Sequence, residues 1–138
     1  MSTFVTHIKE SGSPKLREVA LNGLLLARSH LGEGHLQLVR QALDDTSPMV
    51  RDTAIFVLGS LRHEASVRPI CELLQDEEPT VRAQACEALA EIGSPVSINY
   101  LKPLISCPDQ DEQVRNAAYE ALWRICRQNS IELLPFSI

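Results

Sequence analysis

The chain has 138 residues, of which 44% are hydrophobic and 22% charged, and its formal net charge is −5. These values are typical of one globular domain, and they argue against a disordered chain and against a general nucleic-acid-binding protein, which would need a basic surface. A run of about 18 apolar residues that could span a membrane is absent, as is a basic-then-apolar signal peptide, so we expect a cytoplasmic protein.

The first predicted helix introduces a pattern that recurs along the chain. A small apolar residue followed by arginine recurs with 31 to 34 residues between arginines, which indicates a repeat architecture. Prolines precede three of these dipeptides and suit the first turn of a helix, while Ser13 and Ser47 before them are good N-caps. We therefore predict helices of one type, called B helices, near residues 14–29, 48–62, 79–92 and 112–127.

Within each B helix, apolar residues follow the repeat's Leu or Val at offsets of four, four and three, which form one stripe on an α-helix. The first of these positions is always alanine, which predicts close approach of another helix. A second type, called A helices, alternates with the B helices and begins near Ser66 and Ser94. Partial A helices are predicted at both ends, from Val5 and Ile8 and from the apolar segment between Ile131 and Ile138.

These segments resemble HEAT repeats, in particular the short HEAT-like repeats of phycobilin lyases. The resemblance lies in the A-helix endings RQALDD and CELLQD and in the B helices PMVRDTAIFVLGSLR and PTVRAQACEALAEIG, and it covers about residues 14–127. It implies an all-α fold, a right-handed α-solenoid (α-α superhelix) of about four helical-hairpin repeats forming one domain over residues 1–138. The A helices would lie on the convex face and the B helices on the concave face.

The resemblance also implies a structural ladder between adjacent repeats, built from the repeat arginine and an aspartate six residues before it. The predicted ladder residues are Asp45, Arg51, Asp76, Arg82, Asp109 and Arg115. In the first repeat Ser11 replaces the aspartate before Arg17, as expected if Arg17 has no preceding repeat to contact.

Motifs for catalysis or metal binding are scarce. There is no G-x-S-x-G, H-E-x-x-H or glycine-rich phosphate loop, and the four cysteines lack C-x-x-C spacing, so we expect reduced thiols, with Cys86 and Cys126 in the core. The pair His63-Glu64 resembles the His-Glu pairs with which deoxyhypusine hydroxylases, also HEAT-like proteins, bind iron. Those pairs recur, whereas this one is single and follows its B helix, so we predict a solvated loop, no catalytic residue, no metal and no cofactor.

The concave face is the predicted working surface, as in other solenoids. B-helix positions outside the apolar core stripe are predicted to bind the partner, and their residues are Asp52, Phe56, Glu87, Glu91, Asn116 and Glu120. Phe56 either anchors a partner or packs beneath the first repeat. Tyr119 aligns with apolar positions and is predicted to lie in the core, while Trp123 is predicted to pack on the C-terminal segment.

We therefore predict a non-enzymatic scaffold or adaptor that binds another protein, one with a basic patch, and binds neither nucleic acid nor membrane. One alternative is a phycobilin lyase-like or bilin-chaperone subunit acting on phycobiliproteins, and another is an iron-dependent hydroxylase-like metalloenzyme. The apolar C-terminal segment also suggests a homodimer formed through that end.

Overall fold

The structure is a computed structural model, and it describes residues 12–131. Within this range seven α-helices follow one another, joined by short 3-10 turns and without a β-strand. The helices are α1 (Pro14–Leu26), α2 (Glu33–Gln41), α3 (Pro48–Ser60), α4 (Val67–Glu72), α5 (Pro79–Ile92), α6 (Ile98–Ser106) and α7 (Glu112–Gln128). No helix in the described part is long and apolar enough to cross a membrane.

Two layers of helices make up the molecule. The B helices α1, α3, α5 and α7 pack on one another in chain order, and the A helices α2, α4 and α6 each pack on the B helix that follows. Each hairpin thus contacts the hairpins beside it in sequence, as in a solenoid of stacked repeats. The predicted all-α solenoid is confirmed, whereas both predicted partial A helices fall mainly outside the described residues.

The helix boundaries follow from the residues at each turn. α1, α3 and α5 begin at a proline, and the hydroxyl of Ser13 accepts a hydrogen bond from Leu16 N at 3.4 Å. Ser47 is an N-cap residue by position, but its side chain makes no capping bond, and its backbone N instead donates to Asp45 Oδ1 at 2.9 Å. α1 ends at Leu26, three residues before the predicted limit, because residues Arg28–His30 continue as a 3-10 turn.

The core is aliphatic and lies between the two layers. The four alanines of the predicted column, Ala20, Ala54, Ala85 and Ala118, are all buried. α3 and α5 approach most closely at Gly59, where a Cβ would lie 2.8 Å from the Cβ of Ala88. Cys71, Cys86 and Cys126 are buried free thiols and Cys107 is exposed, so the predicted core positions of Cys86 and Cys126 are confirmed.

The arginine ladder joins neighbouring repeats. The Nε and Nη2 atoms of Arg17 each lie 2.9 Å from a carboxylate oxygen of Asp45, and those of Arg51 lie 2.8 and 3.0 Å from Asp76. Arg51 also donates from Nη1 to the backbone oxygen of Asp45 at 2.8 Å. Each aspartate therefore offers its carbonyl to the arginine of its own repeat and its carboxylate to the arginine of the preceding repeat. Arg17 thus contacts the repeat that follows it.

The third rung differs from the prediction. Arg82 Nε donates to Gln110 Oε1 at 3.1 Å, so Gln110 takes the position predicted for Asp109. A turn closed by the bond from Gln110 N to Cys107 O brings the amide side chain toward α5. Arg115 donates to Pro108 O at 3.4 Å.

The ladder also changes the acidity of a carboxylate. Burial pushes the pKa of Asp45 upward, but the hydrogen bonds from Arg17 and from Ser47 N and the charges of Arg17 and Arg51 outweigh it. The pKa of Asp45 therefore lies below its ordinary value.

Candidate functional site

A groove of about 360 Å³ lies on the layer of B helices, and its lining residues come from α3, α5 and α7. Phe56 lies on one side with 47% of its surface exposed, and Glu87 and Glu120 lie on the other side. Gly59 and Ala88 form part of the lining, and because both are small, the two helices approach each other closely there. The groove therefore combines an aromatic wall with carboxylates.

A second cavity of about 440 Å³ continues the same surface toward the end of the repeat array. It shares Glu87 and Glu120 with the groove and adds Asn116 and Tyr119. We call the two cavities together the acidic groove. Their shared carboxylates place negative charge at the middle of this surface.

Asp52 is a partly buried carboxylate near the groove. Its Oδ1 atom is buried and has no hydrogen-bond partner in the described part of the chain. Burial raises the pKa of Asp52, and the negative charges of Glu87 and Glu18 raise it further. A cation near Asp52, Glu87 and Glu18 would stabilise the ionised form of Asp52 and so lower its pKa again.

Glu91 and Arg124 form an ion pair at the margin of the groove. Arg124 Nη2 lies 3.0 Å from Glu91 Oε1, and both side chains are nearly half exposed. An exposed pair of this kind contributes little to stability, about 0–1 kcal/mol. Glu87 and Glu120 are the carboxylates lining the groove that lie outside this ion pair.

The structure brings most of the predicted partner-binding residues together. Phe56, Glu87, Glu91, Asn116 and Glu120 line the two cavities. Asp52 does not line either cavity but interacts electrostatically with Glu87.

Among the residues around the groove that the sequence-based selection missed are Glu18, Gln84 and Arg124. The repeat alignment contained a signal for two of them. Glu18 occupies the column of Asp52, and Arg124 occupies the column of Glu91, one repeat further along. Residues of one column on adjacent helices lie side by side, which explains both contacts.

Tyr119 departs from its predicted core position. Its aligned residues are buried, but Tyr119 is 42% exposed because α7 is the last described helix and no described hairpin covers it. It contacts Trp123, which is 37% exposed, with ring centroids 6.3 Å apart in an edge-to-face arrangement. The predicted packing partner of Trp123 lies outside the described residues.

The described residues do not fit an iron site. Residues 12–131 contain no group of three or more His, Cys, Asp or Glu side chains that could hold a metal ion. His63 Nδ1 lies 2.6 Å from Ser66 Oγ, in the turn that leads into α4. His63 thus has a structural contact at the start of a helix, and no step of chemistry can be derived through a metal here.

Comparison with known proteins relates the chain to enzymes. A family model described as HEAT repeats matches residues 36–123. Human deoxyhypusine hydroxylase is 31% identical over 93 residues, which make up 66% of this chain and 31% of that protein. The bilin biosynthesis protein MpeU of Synechococcus sp. (strain WH8020) is 32% identical over 107 residues, covering 76% of this chain and 36% of that protein. The chain thus spans about a third of the length of these relatives.

A solved structure gives the same relationship. Human deoxyhypusine hydroxylase in complex with glycerol superimposes with a TM-score of 0.75 and 28% identity, covering 95% of this chain and 45% of that chain. An engineered protein of known structure, 18% identical with a TM-score of 0.66, shares the fold.

These comparisons overturn the expectation of a non-enzymatic scaffold or adaptor. Relatives found by sequence and by structure are named deoxyhypusine hydroxylase, and a hydroxylase is an enzyme. The expectation failed because the aliphatic repeat pattern specifies a fold shared by many functions. The single His63-Glu64 pair was too little to indicate a hydroxylase.

Proposed function

The chain belongs to the HEAT-repeat family, and we propose that it serves an enzyme of the deoxyhypusine hydroxylase kind by binding a protonated amine of the substrate in the acidic groove. The chain covers only part of the length of its relatives. Our proposal therefore concerns substrate recognition by the described residues, and it assigns no oxidation step to them.

The observation that carries the proposal is the environment of Asp52. Its Oδ1 atom is buried without a hydrogen-bond partner in the described part, and the charges of Glu87 and Glu18 act on the same carboxylate. A buried polar atom left without a partner costs free energy, about 1–3 kcal/mol. An ammonium group offers up to three donors and a positive charge, so when bound beside Glu87 in the groove it would reduce the repulsion that Asp52, just outside the groove, experiences from Glu87 and Glu18.

The neighbouring side chains suit the rest of such a substrate. The exposed ring of Phe56 gives an apolar wall along which methylene groups can pack, while Glu87 and Glu120 supply negative charge further along the groove. Deoxyhypusine, which the relatives' name gives as their substrate, is an amino acid with an amine-bearing aliphatic side chain. The groove thus matches that chemistry at both its apolar and its charged parts.

A bilin fits this surface less well. Bilins carry carboxylates, which the negative charges of Glu87, Glu120 and Asp52 would repel. The similarity to a bilin biosynthesis protein therefore supports the repeat type and adds no support for bilin binding by this groove.

Binding of a short peptide with one deoxyhypusine residue, measured by titration calorimetry, tests the proposal. The control ligand is the same peptide with norleucine, which keeps the aliphatic carbons nearest the backbone and lacks both amines and the aminobutyl group. We expect Glu87→Gln to weaken binding of the amine peptide about tenfold, since a hydrogen bond to a charged group contributes about 1.5–3 kcal/mol. Asp52→Asn should weaken it by a smaller factor, because Asp52 lies outside the groove and acts through its charge. Phe56→Ala should weaken it less, and Glu72→Gln, an exposed carboxylate on α4, should leave it unchanged.

The pH dependence gives an independent check. Because the pKa of Asp52 is raised, its carboxylate takes up a proton at a higher pH than an ordinary aspartate, and amine binding should weaken as the pH falls through that raised value. Carbon-detected NMR should show the Asp52 pKa falling when the amine peptide is bound. Equal affinity for the norleucine peptide, or an Asp52 pKa unmoved by saturating ligand, would refute the proposal.

A further inference from the structure

The last described helix, α7, exposes a surface that every earlier B helix buries. Four residues after the repeat arginine lie Leu21, Ile55 and Cys86, each with no exposed surface. The next B helix packs on each of these helices. The corresponding residue of α7 is Tyr119, which is 42% exposed.

The arginine of the same surface also lacks the partner that its counterparts have. Arg17, Arg51 and Arg82 each donate to a side chain of the following repeat, 25 to 28 residues further along. Among the described residues, the hydrogen bond found for the Arg115 side chain is the one to Pro108 O at 3.4 Å. Within residues 12–131, no hydrogen bond occupies the edge of this guanidinium that corresponds to the edge used between the earlier repeats.

Five residues at intervals of four form one ridge along α7. They are Asp111 at the N-cap, Arg115, Tyr119, Trp123 and Arg127. Asp111, Tyr119, Trp123 and Arg127 are exposed, and Arg115 is half-buried. Ridges of residues four apart are the elements that interdigitate in the commonest packing of two helices, with axes crossing at about −50°.

The ridge is self-complementary, because reversing its direction places its charged and aromatic residues opposite suitable partners in a second copy. If a second α7 lies antiparallel across the first at Tyr119, Asp111 of each copy faces Arg127 of the other. Arg115 then faces Trp123, a cation–π contact, and the two Tyr119 rings meet at the centre. We propose that a second copy of this chain docks on the ridge through a two-fold axis at Tyr119, which buries the aromatic pair and pairs the charges.

A head-to-tail contact between copies would not supply these partners. The acceptor for Arg115 would have to come from the turn before α1, where the first repeat has Ser11 instead of the aspartate found at Asp45 and Asp76. The two cations at that end are already paired, Lys15 with Glu18 and Arg17 with Asp45. The symmetric contact satisfies charge on both sides and closes after two copies.

The sole tryptophan of the chain provides a direct probe, because Trp123 lies in the proposed contact. The mass from sedimentation equilibrium and the tryptophan emission maximum should be followed over the same protein concentrations. We expect a dimer at high concentration and a shift of the emission to longer wavelength on dilution, with both transitions at one concentration. A monomer at every concentration up to about 1 mM would overturn the inference, since 1 mM corresponds to only about 4 kcal/mol of association free energy.

Variants on the exposed surface of α7 make the test specific. Tyr119→Glu places two like charges at the two-fold axis, and we expect it to raise the dimer dissociation constant at least tenfold. Arg127→Glu should do the same by opposing the charge of Asp111. Gln113→Glu adds the same charge on the same helix outside the ridge and should leave the dimer intact. A dimer unaffected by both ridge variants would refute this interface, with circular dichroism verifying that each variant is folded.

The two proposals meet at Tyr119, which lines the acidic groove and also lies at the proposed two-fold axis. They are separated by residues that belong to one of them alone, Arg127 on the α7 ridge and Asp52 on α3. The amine peptide should therefore bind Arg127→Glu with unchanged affinity, and Asp52→Asn should dimerise normally. Failure of either proposal can thus be recognised without the other.

Discussion

Gly59→Ala is expected to destabilise the chain although alanine favours helices. Gly59 lies within α3 at its closest approach to α5. A Cβ at this position would lie 2.8 Å from the Cβ of Ala88 and 2.9 Å from its Cα. The second of these atoms belongs to the backbone, so rotation of a side chain cannot relieve the overlap, and the two helices must separate locally.

Two opposing terms determine the magnitude. Overpacking of a close contact costs about 1–3 kcal/mol, and replacing glycine by alanine in a helix gains up to about 1 kcal/mol. The net effect is the overpacking cost minus the gain in helix propensity, so we expect the free energy of unfolding to fall by about 1 kcal/mol. In a domain of this size that loss lowers Tm by about 4 °C.

Urea denaturation followed by circular dichroism measures this change, and Gly34→Ala provides the control. Gly34 lies in α2, and a Cβ added to it would meet no atom within 4 Å, so alanine there should stabilise by about 0.5–1 kcal/mol. The two variants should thus move in opposite directions. An increase in stability for Gly59→Ala equal to that of Gly34→Ala would show that α3 and α5 can separate at this contact without cost.

Other substitutions and titrations test the ladder, the core and the thiols. Arg51→Met should cost about 3–5 kcal/mol in urea denaturation, because it leaves the buried carboxylate of Asp76 without its partner, and a loss below 1 kcal/mol would contradict this. Because the pKa of Asp45 is lowered in the fold, its ionised carboxylate stabilises the folded state above the ordinary aspartate pKa, and this stabilisation is lost as the pH falls through the lower folded value. The urea midpoint of unfolding, measured as a function of pH, should therefore decrease below about pH 4. A midpoint that does not change there would contradict this prediction. Leu58→Ala should cost about 2–5 kcal/mol, since the side chain is fully buried, and its urea midpoint should fall accordingly. A thiol reagent should modify Cys107 rapidly in the folded protein and the three buried cysteines only on unfolding, so fast reaction of more than one thiol would contradict the assigned burial.

Much of the helical framework could be predicted from local sequence. Pro14, Pro48 and Pro79 begin helices because a proline costs no hydrogen bond in the first turn. The alanine column and the apolar stripe are periodic features of single helices, and their burial could be predicted from spacing alone. Most of the acidic groove followed from the same alignment, because residues of one column lie side by side on adjacent helices.

Contacts between repeats could not be predicted with the same accuracy. A ladder between adjacent repeats was expected to leave Arg17 without a preceding repeat to contact, but Arg17 binds the Asp45 carboxylate of the following repeat. Gln110 replaces Asp109 in the third rung because a local turn directs its side chain to Arg82. These details depend on the relative position of two hairpins, which no local pattern contains.

The sequence by itself determined the repeat, the helix type and the family, because periodicity and capping act within a few residues. The tertiary structure decided which carboxylates share a space and which aromatic residues remain exposed. Burial raises the pKa of Asp52, and the charge of Glu87 in the next repeat raises it further. Tyr119 has the sequence environment of a core residue, yet it is exposed because burial at that position requires the following hairpin to pack on α7.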